Sequence, residues 1–277
     1  MFSPIKLIFG TLPTAVKTQI FGRDLASVCF MHTVRGKQLE HLKSEQIRAE
    51  LDEEDKQYII KLGNATLKTP GRNVLKVQDE SLAMAIANEW KANIGQKKLQ
   101  LTRMHLTTLT YTAIDNPFNE TKDDLIRPIL EYLKFDTIRF RESENEDLLS
   151  KQTRHWDPLI GWFEHTYNCH LPIDYGNIAS SSEVPVATLN TLDRYLNSHS
   201  RWPLVGFSYL TRNLKSFVLT TTLAERFLTV EKAVESSRLE TNFQVEKWSK
   251  VEWEHDLDEQ STNARVAAGT LFYHLTV

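Results

Sequence analysis

The residues of this chain whose types and spacing could do chemistry concentrate between Ser237 and Asp258, in the stretch SRLETNFQVEKWSKVEWEHDLD. Glu240, Glu246, Glu252 and Glu254 share that stretch with Trp248, Trp253 and a His255-Asp256 pair. Two opposite uses fit such a set. His255 and Asp256 could serve a metal-dependent hydrolase, but an ion needs several convergent ligands, each oriented by outer partners. One dipeptide supplies too few, and the plainer reading of it is structural. A helix that starts near His255 would place Asp256 and Asp258 where they complement the positive end of the helix dipole. The other use is recognition. Trp253 lies between Glu252 and Glu254, and an aromatic ring bordered by charge is the kind of group that anchors a protein contact. The candidate partner-binding residues are therefore Glu240, Glu246, Glu252, Trp253 and Glu254, with no catalytic, cofactor-binding or metal-binding residue among them.

Other chemistries find little footing. No serine sits in a G-x-S-x-G elbow, and Ser180, Ser181 and Ser182 form a polar cluster of the kind that marks a loop. There is neither a glycine-rich phosphate loop ending in Gly-Lys-Ser/Thr nor a G-x-G-x-x-G fingerprint, so no nucleotide and no cofactor is expected. His165 and His170 are five residues apart, which does not put both rings on one helix face. Asp115, Asp136 and Arg141 are expected to form an Asp–Arg pair that fixes a junction rather than a catalytic group.

The elements that must position the glutamates follow from periodicity. Val230, Val234, Val245 and Trp248 return to one face of a helix, with Glu231, Glu235, Glu240 and Glu246 mostly elsewhere. That predicts one helix over 230–248 and a last helix from about His255, ending in the Ala- and Leu-rich run 264–275. Upstream, the spacing predicts helices over 81–91, 104–114, 122–133, 146–167, 185–196 and 204–228. Trp90 and Trp156 fall on apolar faces and are expected in the core. Residues 58–62, 65–69 and 73–77 read as strands, the first two joined at Gly63-Asn64, residues that tolerate the positive φ of a tight turn. Residues 40–56 are dominated by charge and read as a linker or short helix. The expected fold class is α+β: a small N-terminal β-rich domain with a helical end over 57–115, followed by a larger all-helical C-terminal domain over 116–277.

With 41% apolar and 25% charged residues the composition is that of an ordinary globular chain. Cys29 and Cys169 are its two cysteines, too few for a disulfide framework or a cysteine zinc site. No apolar run is long enough to span a membrane. Charge is unevenly spread: residues 1–39 carry Lys6, Lys17, Arg23, Arg35 and Lys37 against Asp24 alone, whereas the whole chain has a net charge of −3. A basic, hydroxyl-containing start with no acid before Asp24 predicts a mitochondrial transit peptide over 1–39. The remainder is acidic and offers no basic stripe, which argues against nucleic acid.

Several blocks carry a resemblance. The order Ser237-Arg-Leu-Glu240, Gln244-x-Glu246-x-Trp248, Val251-Glu252-Trp253-x-His255-Asp256 and Ala267-Ala-Gly-Thr-Leu-Phe272 resembles the assembly factor 2 family of the mitochondrial ATP synthase. Upstream, in the same order, come Leu67-Lys-Thr-Pro70, Glu89-Trp90, Thr112-Ala-Ile-Asp115, Asp136-Thr137 with Phe140-Arg141, Trp156-Asp-Pro158 and Lys215-Ser216. The chain departs from the family at Gly63-Asn64, where an Asp-Gly turn is usual, and at Ser249, where Gly is usual. The resemblance implies a non-enzymatic assembly chaperone of the mitochondrial matrix. Its partner would be the free alpha subunit of the ATP synthase catalytic head. A hydrolase built on His255 and Asp256, or a scaffold for another matrix protein, is the alternative.

Overall fold

The computed structural model describes residues 44–94, 99–176, 182–248 and 254–277, without the side chains of Trp248, Glu254 and His255. A small antiparallel sheet opens it. β1 (Ile47–Asp52) pairs with β2 (Gln57–Leu62) from Ile47 opposite Leu62 to Asp52 opposite Gln57. The turn between them is closed by Lys56 N–H on the Asp52 carbonyl at 2.9 Å, with Lys56 left-handed at φ 55°. β3 (Ala65–Thr66) and β4 (Lys76–Val77) both line the other side of β2. Residues 47–52 were expected in a charged linker or short helix. Their alternation places Ile47 in the core and Arg48 in solvent, a period of two that the density of charge concealed.

α1 (Glu80–Ala92) lies on this sheet, burying Leu82, Ala83, Ile86, Ala87 and Trp90. Asp79 caps it by accepting from Leu82 N–H at 2.9 Å. α2 (His105–Asp115) has no side-chain cap of its own, because Met104 precedes it. Glu89 of α1 supplies one, accepting from Leu106 N–H at 2.8 Å and from Thr107 N–H at 2.9 Å. At the other end of α2, Asp115 takes Thr69 Oγ1 at 2.5 Å, Gly71 N–H at 2.7 Å and Asn73 Nδ2 at 2.9 Å. The loop between β3 and β4 is thereby tied to the helices.

The helical part begins with α3 (Lys122–Lys134), opened by a reciprocal Thr121–Asp124 capping box, and α4 (Glu146–Tyr167), capped by Asn145. β5 (Phe140–Arg141) precedes α4 and runs parallel to β6 (Asp174–Tyr175) beyond it. α5 (Val186–Asn197) leads to α6 (Arg201–Leu214) and α7 (Phe217–Ala224). One helix over 204–228 was expected, and two are found. Lys215 turns left-handed at φ 54°, and Ser216 starts α7 by accepting from Leu219 N–H at 2.9 Å. Asp136, fully buried, accepts from Val218 N–H at 3.0 Å and holds the same end; burial pushes its carboxyl up to about 6.

The predicted 230–248 helix is likewise two: α8 (Val230–Ser237) and α9 (Leu239–Trp248), which part at Arg238. α10 (Glu254–His274) completes the chain and packs along α6. Two glycines let these helices approach. A Cβ on Gly206 would lie 3.3 Å from the Tyr273 backbone, and one on Gly269 would lie 2.9 Å from Leu210 Cδ2.

Candidate functional site

The candidate glutamates sit on α9 and at its junction with α10. α9 packs against the first half of α4, through a contact rich in polar groups. Glu240 Oε1 accepts from Gln152 Nε2 at 2.8 Å. Gln152 is fully buried, and its own Oε1 accepts from Glu142 N–H at 2.8 Å. Its amide therefore bridges the start of α9 to the segment after β5. Burial raises the Glu240 pKa above the ordinary 4.5, Glu142 adding to the effect and Arg141 opposing it. One turn on, Phe243 is buried with Lys151 Nζ 5.3 Å and Lys247 Nζ 4.6 Å from its ring centre. Those lysines continue outward to carboxylates, Lys151 to Glu246 at 2.5 Å and Lys247 to Asp147 at 3.3 Å.

Beneath the clasp, Arg141 is buried with its guanidinium 5.1 Å from the Trp156 ring centre, and it donates to Asp157 Oδ1 at 2.7 Å. The Asp–Arg pair expected among Asp115, Asp136 and Arg141 is not formed. Each of the three binds elsewhere, because Asp115 and Asp136 are already taken by loop and helix-end donors. Trp156, fully buried as expected, donates from Nε1 to the Ser236 carbonyl at 3.0 Å and ties α4 to α8. Arg238, between α8 and α9, pairs with Asp258 of α10. α9 is thus anchored along α4 and, at its start, to α10.

The structure divides the five candidates. Glu240 faces inward, as a partly buried carboxylate committed to Gln152, so the recognition role expected of it is not what its side chain is placed to do. Glu246 is on the surface, its side chain 62% exposed beyond Lys151, with Thr241 and Gln244 also exposed along α9. Glu252 and Trp253 lie outside the described residues, and of Glu254 only the backbone is described, at the start of α10. The expectations about those three carry forward unaltered. Gln152, Lys151, Lys247 and Arg238 were not singled out from sequence. Their partners lie 88, 95, 100 and 20 residues away, beyond any local pattern.

Chemically, this arrangement orients a helix. Among the described residues, no three His, Cys, Asp or Glu side chains converge as metal ligands. A shallow groove of about 240 Å³ lies between α3 and α5, lined by Ile126, Leu130 and Leu189 among others. Among the described residues, no helix is long and apolar enough to cross a membrane.

Comparison with known proteins gives this surface its setting. Residues 42–164 match the family model described as ATP12 chaperone protein. The mitochondrial protein atp12 of Schizosaccharomyces pombe is 28% identical over 223 residues, spanning 77% of this chain and 76% of its own. Mitochondrial ATP12 of Saccharomyces cerevisiae is 24% identical over 263 residues, 80% of each chain. The crystal structure of Atp12 from Paracoccus denitrificans superposes with a TM-score of 0.73 at 26% identity, covering 84% of this chain and 96% of that one. Fold and relatives together define a chaperone and not an enzyme, which sets aside the hydrolase built on His255 and Asp256. In sequence and in fold the chain is similar to the ATP12 chaperone proteins. Its curated relatives are mitochondrial proteins.

Proposed function

We propose that this protein is an assembly chaperone of the mitochondrial matrix that binds the free alpha subunit of the F-type ATP synthase catalytic head. The match of residues 42–164 to the ATP12 chaperone family model is the observation that carries the reading. The physical need is clear. A subunit destined for a ring exposes its contact faces until partners arrive, and such faces aggregate. A chaperone covering one of them must let go, so its surface should mix limited apolar area with charge instead of copying a permanent interface. α9 meets that description. Its inner side is locked to α4, and its outer side carries Thr241, Gln244 and Glu246. The Glu252-Trp253-Glu254 junction follows directly in the chain. Release occurs when the neighbouring subunit competes for the covered face, so no nucleotide is consumed. Residues 1–39 serve as the import signal in this reading.

Co-expression tests it. The alpha subunit produced alone should aggregate, and in the presence of this chain it should stay soluble and co-purify with it. Solubility that the chain does not improve, or equal rescue of an unrelated aggregating protein, would contradict the reading.

A further inference from the structure

The sheet has one edge that nothing among the described residues covers. β1 pairs with β2 on one side only. Hydrogen-bonded and non-bonded pairs alternate along an antiparallel ladder, and Gly63 N–H donates to the Gln46 carbonyl at 2.9 Å. In that phase Arg48, Glu50 and Asp52 exchange bonds with β2. The N–H and C=O groups of Ile47, Ala49 and Leu51 point outward. No hydrogen bond from another described segment reaches these three residues.

Bare edges are usually guarded by proline, by an inward charge or by like charges that repel a second strand. β1 has no proline, and Ile47 and Ala49 occupy its inner face. Its solvent-side residues Arg48 and Glu50 pair with each other within the strand. Read backward about Ala49, the strand complements itself. Arg48 falls opposite Glu50, Glu50 opposite Arg48, and Ile47 opposite Leu51, with the small Ala49 at the centre. Gln46 meets Asp52. Like charges meet only past these pairs, at Glu45 and Glu53, which limits the ladder to the seven residues 46–52.

We propose that β1 is a self-association edge, through which two copies of this chain join antiparallel across a two-fold axis at Ala49. The side chains that would discourage edge pairing attract in this register, and the pairing covers Leu51, which is 47% exposed. Opposite charges directly across an antiparallel pair stabilise it and like charges destabilise it. One short strand per copy buries well under the ~1,200 Å² of a stable interface. The dimer is therefore weak, reversible and sensitive to salt. It uses none of the residues of the α9 surface and stands or falls independently of the chaperone reading.

Sedimentation equilibrium of the full chain over a concentration series tests it. The expected result is a monomer–dimer equilibrium weakened by added salt. Arg48→Glu or Glu50→Arg alone should each lower the association constant about ten-fold, since both symmetry-related pairs turn repulsive. The double variant Arg48→Glu/Glu50→Arg should restore it, and a mixture of the two single variants should form heterodimers. Ala49→Pro should abolish it while sparing the β1–β2 bonds, because the Ala49 N–H is not one of them. Melting curves confirm that each variant is folded, and if the proline variant is not, the charge exchange still decides. A monomer at every concentration overturns the proposal, as does a dimer that ignores single reversal or that the double variant fails to restore.

Discussion

In α7 the chain buries every side chain from Phe217 to Leu223, and the polar ones there satisfy themselves locally. Thr220, Thr221 and Thr222 donate to carbonyls three or four residues back at 2.7–2.8 Å, so hydroxyls enter the core without needing distant partners. α9 is held the opposite way. Leu239 and Phe243 are the buried apolar side chains described within it, and its polar attachment to α4 consists of one buried amide and two exposed ion pairs. Exposed ion pairs contribute little to stability. The difference teaches where a chaperone can keep an adaptable surface: on a helix whose position is specified by polar geometry, outside the apolar packing that supplies most of the folding energy.

That contrast can be broken most forcefully from the core side. Trp90 is 1% exposed beneath α1, and Trp90→Arg would bury a guanidinium with no carboxylate provided for it. The cost is several kcal/mol, comparable with the total stability of a domain. The variant should be insoluble or melt far below the parent, and an unchanged melting temperature would remove Trp90 from the core. Phe217→Ala, at a fully buried position between Phe163 and Phe207, should cost about 3–5 kcal/mol in denaturant unfolding.

Glu240→Gln sharpens the comparison by its sign. The folded protein raises the Glu240 pKa, so the ionised carboxylate destabilises the fold, and the parent loses stability as pH rises from below 4.5 through the raised value. Glutamine keeps a carbonyl acceptor for Gln152 without the charge. The variant should be more stable than the parent at neutral pH, with the gap closing as the solution is acidified through the carboxylate range. A variant less stable at pH 7 would show that the charge itself holds α9. The smallest effect belongs to Lys151 and Glu246, whose side chains are 43% and 62% exposed. A double-mutant cycle to alanine should give a coupling of about 0.2–1 kcal/mol, and a larger value would mean that the clasp does more than position the helix.

What the sequence disclosed follows the same division. α4 was legible to the residue, because Asn145 caps it, its apolar positions keep a helical period, and Asn168 ends it in the left-handed conformation. Trp90 and Trp156 could be assigned to the core from their helical spacing. The breaks at Lys215-Ser216 and at Arg238 were not legible. Neither involves glycine or proline, and both are enforced by distant groups, Asp136 in the first case and Asp258 in the second. β1 was hidden by its charges, which occupy the one solvent face of an edge strand. The candidate surface was legible in location but not in detail. The acidic, aromatic stretch marked α9, yet only a partner 88 residues away reveals that Glu240 turns inward and Glu246 outward.

We propose that recognition of the alpha subunit uses the outer side of α9 together with Glu252, Trp253 and Glu254, which follow it in the chain. Calorimetric titration of purified alpha subunit into the parent chain and into the Glu246→Lys/Glu252→Lys variant tests it most directly, with melting curves run on both. An exposed substitution such as Glu246→Lys usually changes stability by about 0.5 kcal/mol or less, while a like-charge contact across an interface can cost several kcal/mol. Melting should be nearly unchanged and binding weakened by at least about ten-fold. Full-strength binding by a normally melting variant would contradict it.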